Sequence, residues 1–188
     1  MMLLRATVAG ISAAIIQCTA GLTQAPPPIV PLVAAVSDRF GATATTIAVA
    51  GSGVDQLTTA IVHSKLPTLT GTIQQSTEIV ELTGDLKGRV LYHVTTVIDT
   101  VRGTLVNTGD QVFSGTVAGS APVMVHDDRF RFEVNLATGT EVGRVYLLDR
   151  IAGPTVRCTL DVVGTGRNAQ GNPTFTYGGE CVFAGGSH

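Results

Sequence analysis

The chain has 188 residues, of which 44% are apolar and only 14% are charged, and its formal net charge is −2. This length suits one domain with a complete hydrophobic core. The small net charge and the lack of any run of like charges argue against a nucleic-acid-binding protein. Trp is absent and aromatic residues make up 5% of the chain, so aliphatic side chains must fill most of the core.

The first twenty residues have the pattern of a secretory signal peptide. Arg5 supplies a positive charge, an uncharged apolar run follows over residues 6–16, and small residues surround Ala20. The run is shorter than the roughly 20 residues that a stable membrane span needs. Residues 1–20 are therefore predicted to be removed, which places the mature protein outside the cell or in the periplasm. The alternative is an amphipathic helix of a cytosolic protein.

Residues 21–70 are predicted to form a leader rich in Pro and Ala. The prolines at 26–28 impose an extended path at its start. The Gly-Ser-Gly triplet at 51–53 lacks the third glycine and the βαβ context of a dinucleotide loop, so it is interpreted as a turn. Apolar spacing over residues 54–65 fits a short helix with Asp55 as its N-cap.

From residue 71 to 188 the pattern changes to short runs in which apolar and polar residues alternate. A period of two is typical of strands with one buried face. The runs cover residues 72–82, 89–99, 104–106, 111–117, 123–126, 129–136, 142–151, 155–163 and 174–183. Turn residues such as Gly, Asn, Asp and Pro separate them. This spacing predicts one all-β domain, either a sandwich or a closed antiparallel barrel.

The parity of each run separates an inner face from an outer face. In the run at 129–136, Phe132 falls on the apolar side and Arg131 on the polar side. The side chains predicted to line the interior as a ligand site are Tyr92, Val94, Phe113, Phe130, Phe132, Tyr146, Phe175 and Tyr177. If eight strands close into a barrel, its interior has room either for packed side chains or for one small ligand. The sequence leaves that choice open.

Cys158 and Cys181 both have inward parity in the last two runs. An antiparallel register that opposes them also opposes Val162 and Tyr177. Directly opposed residues can be close enough for a disulfide, and removal of Cys18 with the signal peptide leaves an even pair. A Cys158–Cys181 disulfide is therefore predicted, with two buried thiols as the alternative. No spacing typical of a zinc site is present, and no metal or other cofactor is predicted.

Parity gives little support to a catalytic centre. His93 has the parity of the wet face, and residues 126–128, His-Asp-Asp, are interpreted as a solvated turn. Glu78 and Glu81 are three apart in a strand, so they leave opposite faces and cannot act as a pair. The catalytic residues stay unknown.

Residues 83–90, Thr-Gly-Asp-Leu-Lys-Gly-Arg-Val, resemble the Thr-Gly-Asp-Leu-Lys-x-Arg-Val stretch of plant allene oxide cyclases. Residues 114–119 are similar to the strand-and-turn repeats of that family and of the related dirigent proteins. The resemblance implies a calycin-like, antiparallel eight-stranded β-barrel whose apolar cavity binds a hydrophobic intermediate and guides its cyclisation, isomerisation or coupling. This chain has no equivalent of the cyclases' amino-terminal catalytic glutamate segment, so no catalytic residue is carried over.

The sequence therefore predicts an exported β-barrel that binds a small apolar molecule, and any cyclase or isomerase activity is implied only by the resemblance. The alternative is a non-catalytic structural or protein-interaction barrel with a filled core. The interior volume discriminates between the two. Residues 142–151 carry a mixture of apolar and polar residues on both faces, which suits coverage by the leader or by a partner subunit and is compatible with a homo-oligomer.

Overall fold

The computed structural model describes residues 44–184. The predicted signal peptide and the first half of the predicted leader lie outside them. The described elements are β1 (Thr45–Asp55), a 3-10 turn (Leu57–Thr59), β2 (Ile61–Pro67), β3 (Gly71–Gly84), β4 (Leu86–Asp99), β5 (Thr104–Val117), β6 (Val123–Asp127), β7 (Arg131–Asn135), β8 (Glu141–Leu147), β9 (Asp149–Ala152), β10 (Val156–Arg167) and β11 (Pro173–Phe183). Within this part of the chain, no helix is long and apolar enough to span a membrane.

Eight strands close into an antiparallel barrel, which confirms the predicted fold class. Going around the barrel, each strand pairs with the next in the order β1, β3, β4, β5, β7, β8, β10, β11 and back to β1. β6 and β9 pair with each other, and β6 also pairs with the second half of β5. Closure leaves these eight strands with neighbours on both sides, so the barrel avoids the exposed edges of an open sheet.

The sheet begins earlier than the sequence predicts, because β1 and β2 occupy the second half of the predicted leader. β1 pairs with β11 along nearly its whole length and with β3 at its end. The triplet at 51–53 lies inside β1, and residues 54–65 contain the end of β1, the 3-10 turn and part of β2. Two inward positions of β1 are occupied by glycines, Gly51 and Gly53. Because glycine has no apolar side chain, the sequence of β1 does not show the apolar–polar alternation that is typical of a strand.

β5 is one long strand where the sequence predicts two runs separated by a turn at 107–110. All four of those residues continue the ladder with β4. At Gly109 a Cβ would overlap the carbonyl oxygen of His93, so the glycine permits close strand pairing rather than a turn. The opposite error occurs at residues 142–151, where the sequence predicts one run and the structure has two strands, β8 and β9.

One end of the barrel is filled by side chains. The most deeply buried residues at that end include Leu86, Phe113, Val117, Val123, Val125, Val156, Cys158 and Cys181. They come from the start of β4, the end of β5, β6, the start of β10 and the end of β11. Since these strand ends lie together in an antiparallel barrel, the packed core occupies one half of the interior.

The predicted cysteine pair lies in the filled half. Cys158 and Cys181 are directly opposed on β10 and β11, and the same register opposes Val162 and Tyr177 as the sequence predicts. The two sulfur atoms are 2.01 Å apart and the Cα atoms 4.1 Å apart. The pair is therefore at bonding distance, and it joins the last two strands of the barrel.

The segment that carries the family resemblance forms the β3–β4 hairpin. Gly84 has a φ of +102°, a conformation that favours glycine. The Asp85 carboxylate accepts a hydrogen bond of 2.8 Å from the backbone N–H of Ala50. The Tyr177 hydroxyl accepts a 2.8 Å hydrogen bond from the N–H of Leu86. These contacts tie the hairpin to β1 and β11 and give residues 83–90 a structural role.

Candidate functional site: a barrel cavity with a ring of carboxyls

The other half of the barrel is hollow. It contains a cavity of about 690 Å³, within the range of roughly 300–1,000 Å³ that small-molecule sites occupy. Its aliphatic wall includes Val80, Leu82, Val90, Ile98, Leu105, Val134, Val145, Leu147, Leu160 and Val162. The loops and strand ends that also line it include Leu57, Leu136, Thr138, Gly139 and Pro173. The cavity therefore reaches from the packed core to one end of the barrel.

Four of the eight predicted lining residues do line this cavity: Tyr92, Phe132, Phe175 and Tyr177. Three others, Val94, Phe113 and Phe130, are buried in the adjoining core. Phe130 packs against Tyr92 with a centroid distance of 4.8 Å, and against Phe132 at 5.7 Å. These three residues belong to the core next to the cavity and do not line it.

Tyr146 differs from the prediction, because the structure places it on the outer side of the barrel. Its neighbours in β8, Val145 and Leu147, both line the cavity, so the alternation of the strand directs Tyr146 the other way. Tyr146 lies opposite the exposed Thr159 of β10. The sequence gives the wrong side for Tyr146 because this run has apolar residues on both faces, which leaves its parity ambiguous.

Glycines on neighbouring strands make room for three of the cavity rings. Phe132 lies opposite Gly143, and the rings of Phe175 and Tyr177 lie opposite Gly53 and Gly51. A Cβ built at any of the three glycines would overlap the facing ring. The rings therefore lie flat against the sheet, and the space at the barrel axis stays open.

Three carboxyl side chains face the cavity: Asp55 at the end of β1, Glu78 in β3 and Glu141 at the start of β8. We call them the carboxyl ring. Glu78 is only 5% exposed and accepts a 2.6 Å hydrogen bond from the Ser76 hydroxyl. Gly164 stands against Glu141, and a Cβ there would be 2.7 Å from the Cβ of Glu141. The Ser76 hydroxyl therefore holds Glu78 by a hydrogen bond, and Gly164 leaves room for the side chain of Glu141.

Burial governs the protonation of the carboxyl ring. Burial, followed by the charge of Glu78 and a hydrogen bond to it, raises the pKa of Asp55 to about 8, and Glu141 adds to this while Arg167 opposes it. Burial also raises the pKa of Glu141. Two close carboxyls in a partly dry site hold one proton between them more readily than two charges. At neutral pH Asp55 is therefore protonated and donates a hydrogen bond to the Glu78 side chain.

Two acceptor oxygens of cavity-lining residues have no hydrogen-bond partner among the described residues. They are Oδ1 of Asp55 and Oδ1 of Asn107, and both are inaccessible to solvent. Asn107 also hydrogen-bonds to Tyr92, and both of these residues line the cavity. Unpaired buried acceptors are unfavourable in a folded protein, so each of these two oxygens carries an energetic cost.

A single basic side chain, Arg167, is present among the described residues that line the cavity. Arg167 is exposed at the end of β10, and its Nη1 donates a 2.6 Å hydrogen bond to the carbonyl of Gly171. Its charge is thus held at the solvent-facing mouth. Within residues 44–184, no buried cation lines the cavity beside these carboxyls.

Sequence reasoning missed the carboxyl ring. Asp55 was interpreted as a helix cap, and Glu78 was considered only as a partner of Glu81. The inference that those two glutamates diverge is confirmed, since Glu81 pairs with Arg89 at 3.0 Å on the outer surface. The usable signal was parity: Glu78 shares the inward parity of Val80 and Leu82.

The described residues contain no group of three His, Cys, Asp or Glu side chains arranged to hold a metal ion. Fold and cavity together define the class: an eight-stranded antiparallel β-barrel with a ligand-sized interior. Comparison with protein-family models, with curated proteins and with solved structures finds no match to this chain.

Proposed function

We propose that the protein binds one small molecule, apolar over most of its surface, in the hollow half of the barrel. The observation that carries the proposal is the cavity of about 690 Å³ with its aliphatic wall. Burial of apolar ligand surface against this wall contributes roughly 25 cal/mol per Å². A filled core, as a purely structural barrel would have, leaves no such space.

The proposal includes chemistry on the bound molecule, namely cyclisation or isomerisation, which the resemblance to allene oxide cyclases and dirigent proteins implies. Such reactions are redox-neutral and need a proton donor and a proton acceptor within reach of the reacting atoms. The protonated Asp55 carboxyl beside Glu78 supplies both. A proton that Asp55 gives to one atom of the ligand is balanced by one that Glu78 takes from another.

Export is part of the same proposal. The bonding distance between Cys158 and Cys181 supports it, because disulfides persist mainly in oxidising compartments. A secreted or periplasmic barrel would meet its ligand outside the cytoplasm.

Adjacent valines on β10 give a matched test of the cavity. Val162 is 4% exposed and lines the cavity, whereas Val163 is 49% exposed on the outer face. The uncharged fluorescent probe N-phenyl-1-naphthylamine should bind the wild type and Val163→Phe at one saturable site. Val162→Phe places a ring in the cavity and should weaken binding by at least about tenfold.

Val80→Phe, which fills the cavity from β3, is a second variant in case Val162→Phe does not fold. Thermal unfolding of each variant establishes that it is folded. Lack of saturable probe binding by the wild type, or equal binding by all folded variants, would contradict the proposal and favour the structural barrel with no ligand.

A further inference from the structure

The carboxyl ring of Asp55, Glu78 and Glu141 suggests the chemical class of the ligand. Resting on the binding site of the proposed function and not on its proton transfer, we infer that the bound molecule is an amphipathic amine whose protonated nitrogen is held by the carboxyl ring while its apolar body occupies the aliphatic part of the cavity. The argument depends on the position of the ring, on its charge and on its unpaired acceptors.

Position comes from the order of residues along the strands. On β3, Gln74 lies towards the mouth, Glu78 lies in the middle, and Val80 and Leu82 lie towards the filled end; all four line the cavity. The carboxyl ring thus has aliphatic surface directly below it. A ligand with a polar head and an apolar tail matches this division, and a wholly apolar ligand would leave the carboxyls desolvated and without a partner.

Charge determines the sign of the head group. Three carboxyls face the cavity, and the one basic lining residue in the described part, Arg167, is exposed at the rim and bonded to a backbone carbonyl. Even with Asp55 protonated, two further carboxyls, Glu78 and Glu141, face the cavity, whereas the positive charge of Arg167 lies at its exposed rim. Coulombic interactions are strong where water is excluded, so an anionic head is repelled and a cationic head is attracted.

Hydrogen bonding gives the same result. The carboxyls of Asp55, Glu78 and Glu141 line the cavity and offer acceptor oxygens, and the buried Oδ1 of Asp55 has no hydrogen-bond partner among the described residues. An ammonium group provides three donors and no acceptor. A carboxylate or ether head would instead place further acceptors beside these carboxyl oxygens.

The ammonium group of a bound amine competes with the proton on Asp55 for the carboxyl ring. The charged or titratable groups that face Asp55 are Glu78 from β3, Tyr92 from β4, Glu141 from β8 and Arg167 from β10. An ammonium beside Asp55 favours the ionised carboxyl and lowers its pKa. Amine binding near neutral pH should therefore release protons into the buffer, whereas binding of an uncharged analogue should not.

The test compares three probes with the same tail: octylamine, 1-octanol and octanoic acid. Each is titrated against the full chain loaded with N-phenyl-1-naphthylamine at neutral pH. Octylamine should displace the dye at least about tenfold more tightly than 1-octanol, and octanoic acid should bind most weakly. Calorimetry in buffers of different ionisation enthalpy measures the protons released.

Glu78→Gln and Glu141→Gln should each reduce the preference for octylamine over 1-octanol by about tenfold and leave the affinity for 1-octanol within a few-fold of the wild type. Glu81→Gln, on the outer face of β3 where Glu81 pairs with Arg89, is the matched control and should change nothing. Two independent cavity variants keep the test decisive if one of them fails to fold.

The outcomes separate this inference from the proposed function. Dye binding with equal displacement by octylamine and 1-octanol, unchanged in both Gln variants, would overturn the amine ligand and leave the apolar binding site intact. Tighter binding of octanoic acid would also overturn it. Failure of the dye and of all three probes to bind would overturn the proposed function and with it the inference.

Discussion

Burial and the neighbouring Glu78 carboxyl raise the pKa of Asp55 to about 8, well above the value of 3.8 for an ordinary Asp. Between these two values the folded chain holds a proton at Asp55 that the unfolded chain has released. The stabilising contribution of this proton is complete below the unfolded pKa and is lost as pH rises through the folded pKa. Asp55 alone should therefore make the barrel less stable with increasing pH.

Asp55→Asn should remove this dependence, because the amide resembles the protonated acid and does not ionise. Urea titrations at about pH 5 and about pH 9 should show that the wild type loses on the order of 2–4 kcal/mol more than the Asn variant across that interval. Asp161→Asn is the control, since Asp161 lies on the outer surface at 2.7 Å from Arg144 and is ionised throughout the interval. Parallel pH profiles for wild type and Asp55→Asn would contradict the prediction.

At the residue scale, the sequence predicts the placement of aromatic side chains better than the placement of the cavity carboxyls. Alternation around Phe132 correctly assigns that ring to the interior and Arg131 to the surface, because each strand encodes its own two faces. The role of Asp55 depends on β1 entering the barrel and approaching Glu78 on β3. No local pattern contains that contact, so the carboxyl ring required the structure.

At the scale of the strand, the pairs of ring and glycine determine how much of the barrel stays open. Gly143 of β8 is the clearest example, because a Cβ there would overlap ring atoms of Phe132 on β7. An aromatic side chain that covers a glycine across the ladder protects backbone hydrogen bonds and fixes register. The same contact keeps the ring away from the barrel axis.

Gly143→Ala should push the Phe132 ring into the cavity. We expect a loss of about 1–3 kcal/mol in the free energy of unfolding from the displaced ring, together with weaker binding of N-phenyl-1-naphthylamine. Gly178→Ala on β11 is the matched control, because a Cβ there would lie 3.9 Å from its nearest neighbour, the carbonyl oxygen of Val49. Urea titration and dye titration of both variants measure the contrast, and equal effects of the two substitutions would refute it.

The predictability of the strands follows the same chemistry. Runs with alternating Val, Leu and Phe, such as 155–163 and 174–183, correspond closely to β10 and β11. β1 was interpreted as leader, turn and helix because glycines occupy its inward positions, where they accommodate rings from β11. Glycine in a strand has two opposite local meanings, a turn or a close approach, and only the partner strand decides between them.

Taken as a whole, the molecule has a filled half that contains the disulfide pair and a hollow half that contains the carboxyl ring. Cys158 and Cys181 do not line the cavity, although Leu160, two residues along β10, does. The same strands run through both halves, but the side chains of one half pack against a different set of residues from those of the other half. Stability and binding should therefore respond separately to changes in the filled half.

The double variant Cys158→Ala, Cys181→Ala should lose on the order of 3 kcal/mol in the free energy of unfolding, since a cross-link restricts the unfolded chain. Its affinity for N-phenyl-1-naphthylamine under native conditions should stay within about threefold of the wild type. Urea titrations and dye titrations on the same preparations provide both values. A large loss of affinity without loss of stability would show that the two halves are not separate.

The sequence predicts the class of fold but not the order in which the strands pair to close the barrel. Short alternating runs indicate a sandwich or a barrel, and the resemblance at residues 83–90 favoured the barrel. The pairing that closes it joins β1 to β11, strands more than a hundred residues apart in sequence, and such long-range pairing leaves no local signal. The predicted signal peptide lies outside the described residues, and export remains a prediction.

The division of the interior also affects how the barrel tolerates change. In the filled half, enlarging a residue such as Phe113 or Leu86 meets packed neighbours on every side and strains the core. In the hollow half, side chains such as Val80 and Leu160 border the cavity, so larger side chains can be accommodated there at a lower cost in folding than in the filled half. The same scaffold can therefore be adapted to new ligand shapes by substitutions confined to one end of the barrel.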